Sequence, residues 1–185
     1  MDPYVRLAIL AVETYIKTGE IINPPDDLPQ EMIKQKAGVF VSIKKIDARK
    51  REDKIDRQED ELRGCIGTFL PTKTNIAREI ISNAVSAATC DPRFYPIQKE
   101  ELKNLKISVD VLSEPEAIRN IKKLDPKKYG VIVRTQDGRS GLLLPNLEGV
   151  ETVEHQISIA CQKAGINLEH DKIFLFRFSV KRYEE

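Results

Sequence analysis

The chain has 185 residues, of which 41% are hydrophobic and 32% charged, with 30 basic against 29 acidic side chains. This length suits one domain, or one domain with a small appended lobe, and the composition is that of a globular chain. A chain of this size buries roughly 70% of its unfolded surface, so its core needs no disulfide or metal. The balanced charge argues against broad electrostatic capture of nucleic acid or of an anionic membrane.

The sequence indicates a soluble protein of a reducing compartment. No apolar run approaches the roughly 20 residues that a membrane-spanning helix needs. The first six residues, Met1 to Arg6, lack the basic region, apolar stretch and cleavage site of a signal peptide. Cys65, Cys90 and Cys161 are odd in number and widely spaced, so they form neither a disulfide framework nor a zinc-binding pair. We therefore expect a cytoplasmic protein with no membrane partner.

The first third of the chain predicts a helix followed by a strand. Asp2-Pro3 places a capping carboxylate before a proline at the first helical position, and Gly19 supplies a stop. Residues 28–36 favour a short second helix, and apolar residues then alternate from Val39 to Ile43, which is typical of a strand. The segment from Lys44 to Glu61 contains seven basic and seven acidic residues. We interpret it as a solvated excursion between two strands and not as a nucleic-acid arm.

The remaining elements predict an α+β fold with mainly antiparallel sheets and flanking helices. A strand interrupted by two glycines runs from Leu62 to Phe69, and an amphipathic helix follows from Ile76 to Thr89. An Asp137-Gly138 turn between two apolar runs is a hairpin signal. The further predicted elements are a rigid loop over residues 91–96, a strand around 107–111, a helix over 153–164 ended by Gly165, and a final strand over 174–180.

The glycine-containing strand holds the first candidate site. Alternate side chains on a strand share a face, so Arg63 and Cys65 are expected to project together, away from the apolar face of the strand. A neighbouring guanidinium favours the thiolate form of a cysteine. Gly64 and Gly67 carry no side chain, so a ligand or a second chain segment could approach their backbone closely. Such an arrangement suits nucleophilic, redox or anion-binding chemistry.

A packed cysteine is the competing interpretation of this strand. Free cysteine is among the most buried residue types, and a glycine in a strand often marks only a bulge. A catalytic cysteine also needs a base, and the chain has only His155 and His170, neither within a recognisable motif. Two histidines far from any cysteine cluster argue against a dedicated metal site. The residues therefore leave open whether Cys65 is catalytic or structural, and they indicate no metal and no cofactor.

The rigid loop holds the second candidate site. Asp91 and Arg93 follow the amphipathic helix, and loops that a scaffold holds in place often carry function. The two residues either contact a ligand or form an ion pair that only fixes the loop. Both alternatives are open at this point.

One eight-residue run, Leu62 to Phe69, resembles the signature of the AMMECR-one family, the protein A component of the AmmeMemoRadiSam system. Its first six residues, Leu62 to Gly67, form the motif LRGCIG. Further matches to the family recur in order along most of residues 38 to 165. They are Gly38-Val39-Phe40-Val41, Ala87-Ala88, Asp91-Pro92-Arg93-Phe94, Ser108-Val109-Asp110-Val111-Leu112-Ser113, Tyr129-Gly130-Val131, Gly141-Leu142-Leu143-Leu144-Pro145 and Lys163-Ala164-Gly165.

The resemblance implies a two-lobed α+β fold with a cleft near the signature. The larger lobe would contain both chain ends, residues 1–69 and 105–185, and the smaller lobe residues 70–104. The signature is the suspected binding or active site of the family, and it carries over to Arg63, Gly64, Cys65 and Gly67 without a substitution. The resemblance also implies radical-SAM and Memo-like proteins as partners.

Three functions are consistent with these residues and the resemblance. The first is a thiol-dependent enzyme or redox component that uses Cys65. The second is a binding module for a small anionic ligand or a peptide, held by Arg63, Arg93 and the glycine backbone. The third is a scaffold or assembly protein for the radical-SAM and Memo-like partners. The missing histidine partner favours a binding cleft over a hydrolase.

Overall fold

The computed structural model describes residues 1–46 and 61–184, which form four α-helices, eight strands and two short 3-10 helices, Lys99–Asn104 and Ile121–Lys123. The helices are α1 (Pro3–Thr18), α2 (Gln30–Lys34), α3 (Ile76–Thr89) and α4 (Val153–Lys163). The strands are β1 (Val39–Lys45), β2 (Glu61–Thr68), β3 (Leu105–Leu112), β4 (Glu116–Ile118), β5 (Gly130–Thr135), β6 (Ser140–Leu143), β7 (Ile173–Phe178) and β8 (Val180–Tyr183). Among these described helices, none is both long enough and apolar enough to cross a bilayer.

The strands form two antiparallel sheets of four. The first sheet has the order β2-β1-β3-β8 and the second the order β4-β7-β5-β6. Helices flank both sheets, since α3 packs on β1 and β2 while α4 packs on β5 and β6. The predicted α+β class is therefore confirmed. Most of the predicted charge-dense excursion, residues 47–60, lies outside the described residues.

The contacts divide the chain into two compact units. The first comprises Met1–Val111 with the chain end from Arg182, and the second comprises Leu112–Lys181. Residues 70–104, the predicted smaller lobe, belong to the first unit, and the two-lobe arrangement stays a prediction. They belong to the first unit because the packing of α3 on β1 and β2 fastens that segment to the first sheet.

The helix boundaries follow the local signals of the sequence. The Asp2 carboxylate accepts the N–H of Tyr4 at 2.9 Å and caps α1, and Gly19 ends that helix in the left-handed conformation with φ of 78°. Asn75 caps α3 by accepting the N–H of Arg78 at 2.9 Å. The bounds of α3 equal those predicted, so both helix predictions are confirmed.

The core of the first unit lies between the first sheet and the helices α1 and α3. Val39, Val41 and Ile43 alternate along β1 and are fully buried, which defines the face of the sheet toward these helices. Phe40 and Ser42 lie between them and are only partly buried. We call the face that carries Phe40, Ser42 and Lys44 the second face.

The predicted final strand is wrong at one point. The chain forms two strands there, β7 in the second sheet and β8 in the first. Ser179 separates them, since its carbonyl accepts the N–H of Ser113 at 3.0 Å and its own N–H donates to Ser113 Oγ at 3.0 Å. Alternating residues predict extended backbone, but they do not say which sheet the backbone joins. The predicted hairpin is confirmed, with Gly138 at φ of 93° between β5 and β6.

Candidate functional site

The signature residues lie on β2, at the edge of the first sheet. Pairing with β1 aligns Ile43 with Gly64 and Lys44 with Leu62, so Arg63 has no partner residue on β1. This extra residue is a β-bulge, which interrupts the alternation of side chains along the strand. Side chains of β2 therefore alternate between the two faces of the sheet only from Gly64 onward, and not from Arg63 as expected.

Both glycines of the signature face neighbouring parts of the chain. A Cβ at Gly64 would lie 2.1 Å from the carbonyl oxygen of Ala87, so the missing side chain lets α3 approach the strand. A Cβ at Gly67 would lie 2.2 Å from Cγ of Phe40. The backbone expected to be open at these positions is therefore covered by α3 and by an aromatic ring.

Cys65 lies on the second face, directly opposite Ser42 of β1. Its side chain is partly exposed, and Sγ accepts a hydrogen bond from Ser42 Oγ at 3.3 Å. Ser108 of β3 lies opposite Ser42 on the other side. Opposed residues in antiparallel strands share a face, so a thiol and two hydroxyls line up across three strands. We call Cys65, Ser42 and Ser108 the thiol–hydroxyl row.

The guanidinium of Arg63 ties β2 to residues 95–101. Its Nε and Nη2 donate to the two carboxylate oxygens of Glu101 at 2.8 and 2.9 Å, and its Nη1 donates to the carbonyl of Tyr95 at 2.8 Å. Arg63 thereby holds the pKa of the Glu101 carboxyl below its ordinary value. None of these three bonds goes to the thiol, in contrast to the expected role of Arg63 as the partner of Cys65.

Asp91 connects the rigid loop to the strand of the thiol. Its Oδ2 accepts the backbone N–H of Cys65 and the Nη2 of Arg93, both at 2.8 Å, and its Oδ1 accepts the Nε of Arg93 at 3.0 Å. Because β2 is an edge strand, the carboxylate satisfies an N–H that points away from the sheet. The Arg93 guanidinium is the main cause that holds the pKa of Asp91 well below its usual range. The loop-fixing ion pair therefore forms, and ligand contact by either residue stays a prediction.

A second aspartate–arginine pair lies on the second face, and the sequence reasoning missed it. Asp110 of β3 lies opposite Phe40 and accepts hydrogen bonds from the Nε and Nη2 of Arg182 at 2.8 Å each. The two residues are 72 positions apart in the chain. Only the order of the strands brings them together, so no local signal could have found them.

The two pairs are alike in geometry and exposure. The Arg93 and Arg182 side chains are each 55% exposed, whereas the carboxylates that hold them are 2% and 3% exposed. Hydrogen bonds donated to these carboxylates are the main cause of the raised pKa of both guanidiniums. Asp91 also binds the backbone N–H of Cys65, and Asp110 lies two residues from Ser108 of the thiol–hydroxyl row, so both half-exposed guanidiniums are tied to the surroundings of the thiol.

Glu79 of α3 is a buried carboxylate that the sequence reasoning also missed. It is fully buried and accepts hydrogen bonds from the hydroxyls of Thr68 and Thr72 and from the N–H groups of Thr72 and Lys73 at 2.7–2.8 Å. Burial by itself would raise the pKa of Glu79, but these hydrogen bonds lower it below its ordinary value. A glutamate on the apolar face of a helix was the available signal. Glu79 fixes the segment that follows the signature strand.

The described residues hold no metal cluster, and both histidines belong to the second unit. Across residues 1–46 and 61–184, no group of three or more histidine, cysteine, aspartate or glutamate side chains is placed to hold a metal ion. His155 lies in α4 and His170 precedes β7, so both belong to the second unit, whereas Cys65 belongs to the first. The first unit therefore offers no histidine as a base for the thiol.

Known proteins resemble this chain over nearly its whole length. A model of the AMMECR1 family matches residues 5–183. A protein of Thermotoga maritima is 49% identical over 182 residues, which cover 98% of this chain and 97% of that protein. A protein of Clostridium acetobutylicum is 49% identical over 185 residues, but this chain spans only 36% of its length.

A solved structure agrees with the fold. The crystal structure of an uncharacterized protein from Pyrococcus horikoshii has a TM-score of 0.82 and 35% sequence identity, and the match covers 98% of this chain and 89% of the other. The resemblance inferred from the signature strand is thus confirmed by comparisons that use the entire sequence. The chain belongs to the AMMECR1 family.

Proposed function

We propose that this protein binds a small anionic ligand on the second face, with an acidic group of the ligand close to Cys65. One observation carries the proposal. Arg93 and Arg182 are both half exposed and both held by a buried carboxylate. Of these carboxylates, Asp91 binds the N–H of Cys65, and Asp110 lies two residues from Ser108 of the thiol–hydroxyl row. A carboxylate or a phosphate is the group that such guanidiniums recognise.

The bonding pattern of the arginines supports a binding role. In each pair the aspartate uses Nε and Nη2 of the arginine. Within the described part of the chain, Nη1 of Arg93 and of Arg182 has no hydrogen-bond partner. A guanidinium fixed in this way loses little conformational freedom when a ligand binds, which favours affinity. Ser108 adds a hydroxyl that can donate to an oxyanion, and the Ser42 hydroxyl can do so when it turns from Cys65 Sγ.

A thiol-dependent enzyme is the second candidate function. The observation in its favour is the partly exposed Cys65, whose Sγ is oriented by the Ser42 hydroxyl. Against it stands the absence of a histidine from the first unit, because nucleophilic cysteines are usually activated by a neighbouring base. Binding of an anion needs no such base, so we place the binding function before the enzyme.

The partners of the protein form a separate part of the proposal. We include radical-SAM and Memo-like proteins as partners on the basis of the family resemblance alone. Affinity purification of the full chain from a cell that encodes both partners tests this. We expect either protein to be recovered in stoichiometric amounts. Recovery of neither would contradict both the proposed partners and the scaffold function.

Alkylation of Cys65 tests the anion site without knowledge of the ligand. Iodoacetate is anionic and iodoacetamide is neutral, so the ratio of their rates reports the local charge at the sulfur. We expect this ratio to be on the order of tenfold higher at Cys65 than at the exposed Cys90 of the same molecule. Inorganic phosphate and succinate should slow the reaction of Cys65 with iodoacetamide and leave Cys90 unchanged.

Substitutions of the arginines complete the test. Arg93→Met and Arg182→Met should each lower the rate ratio at Cys65, whereas Arg6→Met should not, because Arg6 pairs with the exposed Asp27 elsewhere in the unit. The single variant Arg93→Met leaves the buried Asp91 carboxylate without its cation. The double variant Asp91→Asn/Arg93→Met removes both charges and so controls for this effect. Circular dichroism verifies that each variant is folded. Equal rate ratios at Cys65 and Cys90, with no protection by either anion, would overturn the proposed function.

A further inference from the structure

Two lysines of the second face oppose each other directly. Lys44 of β1 pairs with Lys106 of β3. This pair lies two residues along the strands from the pair of Ser42 and Ser108. Side chains two residues apart on a strand share a face, so the lysines lie on the same face as the thiol–hydroxyl row. Lys44 is exposed and Lys106 is partly exposed. The sequence reasoning gave neither residue a role.

The two lysines of this pair repel each other. Like charges directly opposite each other on neighbouring strands destabilise a sheet. On its other side Lys44 lies opposite the apolar Leu62. In residues 1–46 and 61–184, no carboxylate forms an ion pair with Lys44 or Lys106. Functional positions are where natural sequences depart from the rules of local structure without a neighbouring interaction that offsets the cost.

We propose that Lys44 and Lys106 form a second anion subsite, and that the ligand of this protein is an elongated small molecule with two acidic groups. This inference rests on the proposed function and deepens it. The lysine pair lies two residues along the strands from the thiol–hydroxyl row, and the Asp110–Arg182 pair lies two residues away in the opposite direction.

The register sets the length of the ligand. Two residues along a strand span roughly 6.7 Å. Lys106 and Asp110 are two such steps apart on β3, so their backbones are separated by roughly 13 Å. One acidic group lies on the lysines and the other against the guanidinium of Arg182. The middle of the ligand crosses Ser42, Cys65 and Ser108, whose small side chains leave room for it and offer hydrogen bonds.

Protection of Cys65 by acids of graded length tests the inference. The probes are succinate, suberate and sebacate, with octanoate as the monoacid of the same length as suberate. The readout is the concentration of each acid that halves the rate of Cys65 alkylation by iodoacetamide. We expect the long diacids to protect at concentrations on the order of tenfold lower than octanoate or succinate, because only they reach both subsites.

A lysine variant separates the two subsites. Lys44→Met/Lys106→Met should remove the advantage of the long diacids and leave the protection by succinate and octanoate in place. The control Lys36→Met/Lys103→Met makes the same change in charge at exposed lysines away from the second face and should behave as the wild type.

The possible outcomes distinguish this inference from the proposed function. A flat length series in a protein that succinate still protects would overturn the two-ended ligand and leave the anion site intact. A length series that survives Lys44→Met/Lys106→Met would overturn the lysine subsite. Failure of every acid to protect Cys65 would overturn the proposed function and this inference with it.

Discussion

The carboxylate of Asp91 accepts the backbone N–H of Cys65 at 2.8 Å, so the loop after α3 is fastened to the strand that carries the thiol. The same carboxylate holds the guanidinium of Arg93. The buried side chain of Asp91 therefore accepts an N–H at the edge of the first sheet and also positions the Arg93 guanidinium next to the strand of Cys65. On β3, Asp110 likewise holds a guanidinium, that of Arg182.

Asp91→Asn should lower the free energy of unfolding by about 2 kcal/mol, because the amide cannot accept hydrogen bonds from Cys65 and Arg93 at both of its ends. The loss stays below that of a fully buried ion pair, since Arg93 is half exposed and water solvates it. Urea unfolding monitored by circular dichroism measures the change. Asp27→Asn is the matched control, because Asp27 forms an exposed pair with Arg6 and should matter far less. Equal losses in the two variants would contradict the tie between loop and strand.

Stability should fall as the pH is lowered below about 4, where unfolded carboxyls begin to bind protons. Asp91 and Glu79 have lowered pKa values in the folded protein, the first mainly through Arg93 and the second through hydrogen bonds that outweigh its burial. The unfolded chain therefore takes up protons first. The stability that these groups contribute is fully present above the unfolded pKa and is lost as the pH falls through the folded one.

Urea unfolding between about pH 7 and about pH 3 measures this loss. In Asp91→Asn one of the titrating groups is absent, so its curve should be shallower and should approach the wild-type curve in acid. Parallel curves for the two proteins would rule out Asp91 as a source of the acid sensitivity.

Glu79→Gln should cost about 1 kcal/mol, whereas Glu79→Leu should cost about 3 kcal/mol. The glutamine oxygen can still accept the N–H groups of Thr72 and Lys73, and its amide can donate to the hydroxyls of Thr68 and Thr72, which then turn to accept. Leucine leaves all of these buried donors without an acceptor. Amide hydrogen exchange at Thr72 and Lys73 provides a local readout. Equal exchange rates in the two variants would contradict the role of Glu79 as the acceptor for this segment.

Gly64→Ala should destabilise the protein by about 3 kcal/mol, because the new methyl group meets the backbone of α3 and the helix must shift. Gly149→Ala is the control, with φ of 75° and open space around its Cβ, and should cost only about 1 kcal/mol through backbone strain. Thermal unfolding compares the two. A milder effect at Gly64 than at Gly149 would show that the strand and the helix are not in close contact.

The sequence by itself determined the features that neighbouring residues encode. Asp2-Pro3 and Gly19 defined α1, the bounds of α3 were predicted in full, and the Asp137-Gly138 turn identified the hairpin. The resemblance of Leu62 to Phe69 led to the family that the comparisons show. These signals are local because caps, turns and periodic burial depend on residues only a few positions apart.

Only the tertiary structure decided what surrounds Cys65. The bulge at Arg63 depends on the register between β1 and β2, and it breaks the alternation on which the expected pairing of Arg63 with the thiol relied. The guanidiniums of Arg93 and Arg182 are each held by an aspartate, and contacts between distant parts of the chain place both pairs, from Asp91 to the N–H of Cys65 and from Arg182 to Asp110. A one-residue change of register moves every side chain of a strand to the other face, so no reading of a single strand can predict which charges meet across a sheet.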